Sequence, residues 1–243
     1  MSLKKYIGND IKQELRYFLY RLLKIPFNRV NLPVPITEWL PKDKAISYVD
    51  IGASRGDFAT AVSSYYNVSK AVLVDPIPDN AAMLKQRFGH DDKFEIHNLA
   101  ISDTVGEADF YISKELDVLS SLFKITDEHN QHFNIAQPQK TTVPTQLLDN
   151  LIPAGITIDL LKIDVQGAEH LVLSSAVETL KNTRVVFTEF SYKPMYDGSS
   201  TFYEIYQFMN GQNFRMVNIS SAYLLQNGEI VQGDALFVNN KLS

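Results

Sequence analysis

The stretch Tyr48-Val49-Asp50-Ile51-Gly52-Ala53-Ser54-Arg55-Gly56-Asp57-Phe58 constrains this chain most strongly. It reads as a buried strand, a tight glycine turn and a helix start. A second acid, Asp75, closes the next apolar run, Ala71-Val72-Leu73-Val74. Two strands ending in a glycine turn and an acid are the layout of a nucleoside site in an open α/β sheet. Glycine lets backbone approach a ligand, and the second acid accepts hydrogen bonds from ribose hydroxyls.

The spacing Gly52-x-x-x-Gly56 differs from the G-x-G-x-x-G of dinucleotide sites. Asp50 lies just before the turn, where it repels a pyrophosphate and suits a ligand with positive charge. S-adenosylmethionine (SAM) carries a ribose, an amino group and a sulfonium, and matches this pair of acids better than NAD. The chain also lacks an obvious Tyr-x-x-x-Lys pair for hydride chemistry.

From residue 46 onward, strand and helix patterns alternate. Strands are expected at 46–51, 70–75, 94–96, 106–112, 158–163, 184–190, 213–219, 221–226 and 234–238. Helices are expected near 55–66, 79–88, 171–180 and 201–211. Repeated β-α units followed by helix-free strands predict a mostly parallel sheet with an antiparallel edge. At 243 residues the chain suits one large α/β domain, expected over 42–243.

Ahead of it, Ile7, Ile11, Leu15, Phe18, Leu19, Leu22 and Leu23 predict an amphipathic helix over 3–24. Its first reading is packing on the domain or on a second copy of the chain. Docking on an anionic membrane surface and service as a lid are the alternatives. Residues 26–41 hold four prolines and read as a connecting arm rather than regular structure.

Residues 1–30 are basic, with seven Lys and Arg against Asp10 and Glu14, so most of a chain of net charge −5 is acidic. That balance argues against general nucleic-acid binding, which needs clustered cations. There is no cysteine, which excludes disulfides, thiolate chemistry and cysteine-held metals. Absence of cysteine, of a signal-peptide pattern and of a membrane-spanning apolar run fits a cytoplasmic setting. Residues 114–137 carry Ser120, Ser121, Leu122, His129 and His132 without clean periodicity and read as a functional loop or lid.

Together, several segments resemble the FkbM family of SAM-dependent methyltransferases. They are Val49-Asp50-Ile51-Gly52-Ala53-Ser54-Arg55-Gly56, Val74-Asp75-Pro76, Asn98-Leu99-Ala100-Ile101-Ser102-Asp103, the strand ending in Glu189, and above all Leu161-Lys162-Ile163-Asp164-Val165-Gln166-Gly167-Ala168-Glu169. The similarity runs from about 46 to 190. Ser54 stands where the family commonly has Asn, Asp75 where it often has Glu, and Gln166 where many members have Glu.

The resemblance implies a class I methyltransferase fold, Rossmann-like, with a seven-stranded sheet whose last strand is antiparallel. It implies that Asp50, Gly52, Gly56 and Asp75 bind SAM, with Ala100 and Ile101 at the adenine. Asp164 ends a buried strand and is a candidate base or substrate-orienting group. Glu189 ends another strand and joins it as a candidate catalytic acid. Each has a plainer reading as a cap, turn or core residue.

The implied activity is methylation of an oxygen on a small molecule or glycan. A SAM- or nucleoside-binding module without chemistry, associated with a membrane surface or a partner through the first helix, is the alternative. Asp164 and Glu189, with His170, His129 or His132, are the residues that a divalent metal would use. No metal is predicted, because no ligand spacing is present. Tyr192, Tyr196 and Tyr203 can form an aromatic wall for a sugar.

Overall fold

Ile46–Ile51 (β1), Val68–Val74 (β2), Ile158–Ile163 (β7) and Thr183–Ser191 (β8) are rich in Val, Ile, Leu and Phe and are buried along most of their length. Strands of this kind need cover on both faces, which a parallel sheet with helical crossovers supplies. The computed structural model describes residues 32–41, 43–113, 119–126, 138–224 and 228–242. With Phe94–His97 (β3), Phe214–Leu224 (β9) and Ile230–Asn239 (β10), these strands form a seven-stranded sheet in the order β3-β2-β1-β7-β8-β10-β9. Pairs along β3-β2-β1-β7-β8 are parallel, and β10 runs antiparallel to both its neighbours. This is the expected class I methyltransferase topology.

Helices cover both faces. Val34–Trp39 (α1), Asp57–Tyr65 (α2) and Pro78–Phe88 (α3) lie on one side, where Ile36, Val62 and Leu84 pack with Tyr48, Leu160 and Val185. Leu148–Leu151 (α4), Glu169–Ser174 (α5), Val177–Lys181 (α6) and Phe202–Gly211 (α7) cover the other, around Ile51, Ile163, Phe190 and Phe237. A small second sheet joins Ala100–Ile101 (β4), Gln139–Gln146 (β6) and Gly106–Ile112 (β5), with β6 central. No described helix is long and apolar enough to cross a membrane.

Four expectations are corrected. The proline-rich arm is not wholly irregular, because α1 starts with prolines in positions that need no N–H donor. Its Ile36 is fully buried, a contribution of about 1.5–3 kcal/mol. The single helix expected over 171–180 is two helices, α5 and α6. The two strands expected at 213–219 and 221–226 are the one strand β9, whose pairing with β10 shifts register three times. Strand β6 was not expected at all. The amphipathic helix over 3–24, with its membrane and oligomer readings, lies outside the described residues, as do His129 and His132.

Chain order sets the site. The sheet grows from β1 to β3 on one side and resumes at β7 on the other. The crevice at the carboxyl ends of β1 and β7 is therefore the topological switch point, where open α/β sheets bind ligands.

Candidate active site

At the switch point two turns touch through their backbones. Gly52 has φ +76°, and a Cβ there would lie 1.9 Å from the main-chain oxygen of Asp164. Only glycine fits. Asp164 N–H in turn donates to Ile51 O at 3.1 Å, while Gly52 and Ala53 N–H donate to Val74 O, each at 3.0 Å. Ser54 follows with φ +47°. That left-handed conformation costs a non-glycine residue about 1–2 kcal/mol, and Asn enters it more readily than Ser.

Ser54 N–H donates to Asp75 Oδ2 at 2.8 Å, and Ile77 N–H and Asn80 Nδ2 donate to Oδ1 at 3.0 and 3.1 Å. A carboxylate has about four acceptor positions, so these donors leave about one. Burial raises the Asp75 pKa, and the three donors oppose that rise. Asp75 is thus both the tie between two turns and an acceptor on the cleft.

The cleft is open to solvent and holds about 690 Å³ of empty space, solvent included. Gly52, Asp75, Ala100, Ile101 and Asp164, all singled out in the sequence, line it together. Leu99, Ile77 and Phe110 add apolar wall, and Ser120 and Leu122 bring in the segment 119–126. The described part of the expected lid therefore does reach the site.

Asp50, Gly56 and Glu189 do not line the cleft. Gly56 heads α2 with φ +82°, and a Cβ there would meet Phe88 and Leu84 of α3, so its place is helix packing. Asp50 is fully buried, with Lys162 Nζ 3.2 Å from its Oδ1. The same ammonium donates to Gly52 O at 2.8 Å and lies 3.6 Å from Asp164 Oδ2. Burial works against both charges. Asp50, Asp164 and Asp75 outweigh it at Lys162 and hold that ammonium above its ordinary pKa. At Asp50 burial prevails, and the carboxyl is raised. No motif in the sequence gives Lys162 a role of its own. A visible signal was a lysine inside the apolar run Leu160-Leu161-Lys162-Ile163, since a buried cation needs a partner.

Comparison with known proteins bears on this geometry. The model of the methyltransferase FkbM domain matches residues 50–216, more than half of the chain. The chain belongs to the FkbM methyltransferase family. A 2-O-methyltransferase NoeI from Sinorhizobium fredii is 29% identical over 248 residues, 99% of this chain and 98% of the relative. A solved methyltransferase FkbM from Methylobacillus flagellatus superposes with TM-score 0.52 and 11% identity. That match covers 80% of this chain, which spans 43% of the solved one. It shows the fold.

In this FkbM chain Glu189 stands behind Gln166. Gln166 Nε2 donates to Asp164 Oδ1 and to Glu189 Oε2, both at 2.9 Å, and Gln232 Nε2 donates to Glu189 Oε1 at 2.8 Å. Burial, then Asp164 and Glu169, raise the Glu189 pKa well above its ordinary value. Tyr196, expected in an aromatic wall, is buried and donates its hydroxyl to Gln166 Oε1 at 3.0 Å. Tyr192 and Tyr203 are exposed, and none of the three lines the cleft. His170 stacks on Phe123, centroids 6.1 Å apart, and does not complete a shell with Asp164 and Glu189. Among the described residues no three acids or histidines gather as a metal site.

Glu169 braces the same turn from within. Its Oε1 accepts Val165 N–H and Gly167 N–H, each at 3.1 Å. Burial lifts its pKa from 4.5 to about 7, against those hydrogen bonds. Between these values the native state holds more protons than the unfolded chain. The stability this group contributes is therefore complete below about 4.5 and is lost as pH rises through about 7. Glu169→Gln keeps an acceptor oxygen and removes the titration. In urea unfolding, the stability of the variant relative to the native protein should rise between pH 4.5 and 7. A difference that stays constant across that window would contradict this account.

Proposed function

We propose that this chain is a SAM-dependent O-methyltransferase whose acceptor is a hydroxyl of a small molecule or glycan, acting in the cytoplasm and without nucleic acid. One observation carries the reading. A single cleft at the switch point brings together an acid with a spare acceptor position, a glycine held against the facing turn, an apolar wall and a second acid, Asp164.

These residues fit SAM. Asp75 would accept ribose hydroxyls, Ala100 and Ile101 would flank the adenine, and Gly52 lets the Asp164 turn close against its own. Asp50, sealed behind Gly52 with Lys162, would act on the methionyl end through the turn it anchors. Bound there, SAM would supply a methyl on a positively charged sulfur that departs as a thioether. Asp164 would take the proton from the acceptor hydroxyl as the hydroxyl oxygen receives that methyl. A positioned base adds about 10²–10⁴-fold, and alignment of the reactants adds more. The name of the Sinorhizobium fredii relative supports oxygen as the accepting atom.

Calorimetry with SAM tests the reading. The unaltered protein should bind, and Asp75→Asn should bind about 10–100-fold more weakly, the worth of a hydrogen bond to a charged group. Labelled methyl should pass from SAM to a member of a panel of methyl glycosides and simple alcohols. No SAM binding by the unaltered protein overturns the proposal. Binding without transfer to any panel member favours the non-catalytic module.

A further inference from the structure

We propose that Gln166 is a positioning residue: its neutral amide ties Asp164 to Glu189 and holds the backbone whose main-chain oxygen fastens the segment 119–126 beside the cleft. The role given to Asp164 rests on the functional reading above, whereas the fastening stands on geometry alone.

Four hydrogen bonds meet at this residue. Both amide protons are spent on carboxyl groups, Asp164 Oδ1 and Glu189 Oε2, each at 2.9 Å. The amide oxygen accepts the Tyr196 hydroxyl at 3.0 Å. The main-chain oxygen accepts Ser121 Oγ–H at 2.7 Å. The amide cannot be reversed, because its oxygen would then face two carboxyl oxygens. Gln166 also has φ +56°, which costs about 1–2 kcal/mol for a residue with a side chain. The four contacts hold it there.

The link to the cleft runs through Ser121. This residue is 1% exposed and pairs with Tyr111, its N–H to Tyr111 O at 3.1 Å and its O from Tyr111 N–H at 2.8 Å. Its Oγ also accepts Phe123 N–H at 3.0 Å. Its neighbours Ser120 and Leu122 both line the cleft. One residue thus sets the direction of the Asp164 carboxylate and the seat of the segment facing the ligand.

Neutrality is the property that matters. A carboxylate only accepts hydrogen bonds, so Gln166→Glu would add an acid to Asp164, Glu189 and the phenol of Tyr196, with Glu169 and Asp234 as further acids around them and Lys162 as the opposing cation. It could bridge only when protonated, and then with one proton in place of two. Like charges nearby raise a carboxyl pKa from about 4.3, so protonation becomes accessible in mildly acid solution. Gln166→Met keeps the length and removes all polarity.

The test measures hydrogen exchange of residues 119–126, and SAM affinity by calorimetry, in both variants at about pH 8 and about pH 5. Each value is taken as a ratio to the native protein at the same pH. For Gln166→Glu, exchange should be about ten-fold faster and SAM binding about ten-fold weaker at the higher pH, the scale of one buried hydrogen bond. Both ratios should fall towards one at the lower pH. For Gln166→Met the deficits should persist at both. Native exchange and affinity in both variants, or equal deficits for Gln166→Glu at both pH values, overturn the proposal. A merely space-filling residue would show no such pH recovery. If the native protein fails to bind SAM, the functional reading falls, and the exchange ratios still decide the fastening. If Gln166→Glu does not fold, Gln166→Met decides: native values in it overturn the role.

Discussion

Asp164→Asn is expected to lower methyl transfer by about 10²–10⁴-fold, the usual worth of a positioned base, while SAM binding changes only a few-fold. The substitution keeps size and shape. Its amide oxygen can still accept from Gln166 Nε2, which now bonds Asp164 Oδ1 at 2.9 Å. It cannot take a proton from a hydroxyl. Among the described residues, neither Glu189 nor Lys162 stands ready to replace it. Glu189 does not line the cleft, and Gln166 and Gln232 occupy its two oxygens. Lys162, held protonated, has no lone pair to offer. Single-turnover transfer of labelled methyl, with an acceptor found in the panel, measures the effect. Native transfer rates in the variant would remove Asp164 from the chemistry and leave it an orienting role at most.

The second large effect is on stability. Lys162→Met should cost about 3–5 kcal/mol, as removal of one partner from a buried ion pair does. Asp50 is fully buried, and its Oδ2 has no donor among the described residues. Without the ammonium 3.2 Å away, its charge has no compensation. The variant also frees Gly52 O, which now accepts from Nζ at 2.8 Å. Adding Asp50→Asn should recover much of the loss, because the orphaned charge disappears with it. Urea unfolding of the two single variants and the double variant closes the cycle. Additive losses would mean that the pair is not coupled.

The parts of the fold legible in the sequence are those set by burial alone. Strands β1, β7 and β8 are covered on both faces and so read as apolar runs. Strand β6, Gln-Lys-Thr-Thr-Val-Pro-Thr-Gln, buries only Val143 and Thr145 and carries a proline, so its β-branched residues are a weak signal set against a polar, proline-interrupted run. The break between α5 and α6 is made from elsewhere in the chain. Asp149 accepts Glu178 N–H at 2.9 Å and Thr179 N–H at 2.7 Å, and so starts a new helix inside a continuous apolar pattern.

The site divides the same way. Gly52, Asp75 and Asp164 stand at strand ends, where topology alone gathers them. The partner of Asp50 lies on β7, more than a hundred positions along, and only the sheet register Asp50–Lys162 brings the two side by side. Gln166 differs from a glutamate by one heavy atom, and the consequence shows only when Glu189 and Tyr196 are seen around it.

The placement of β10 bears on how this protein is made. It follows β9 in the chain yet lies between β8 and β9. On the ribosome, β1 to β8 can assemble in order of synthesis, and with them the walls of the cleft. Until residues 230–239 emerge, β8 presents an open edge and Gln232 is not yet there to cover Glu189. Such an edge can pair with another chain. The nascent protein therefore still carries an open edge late in synthesis, after the walls of its cleft have taken shape, and a chaperone would have that edge to shield.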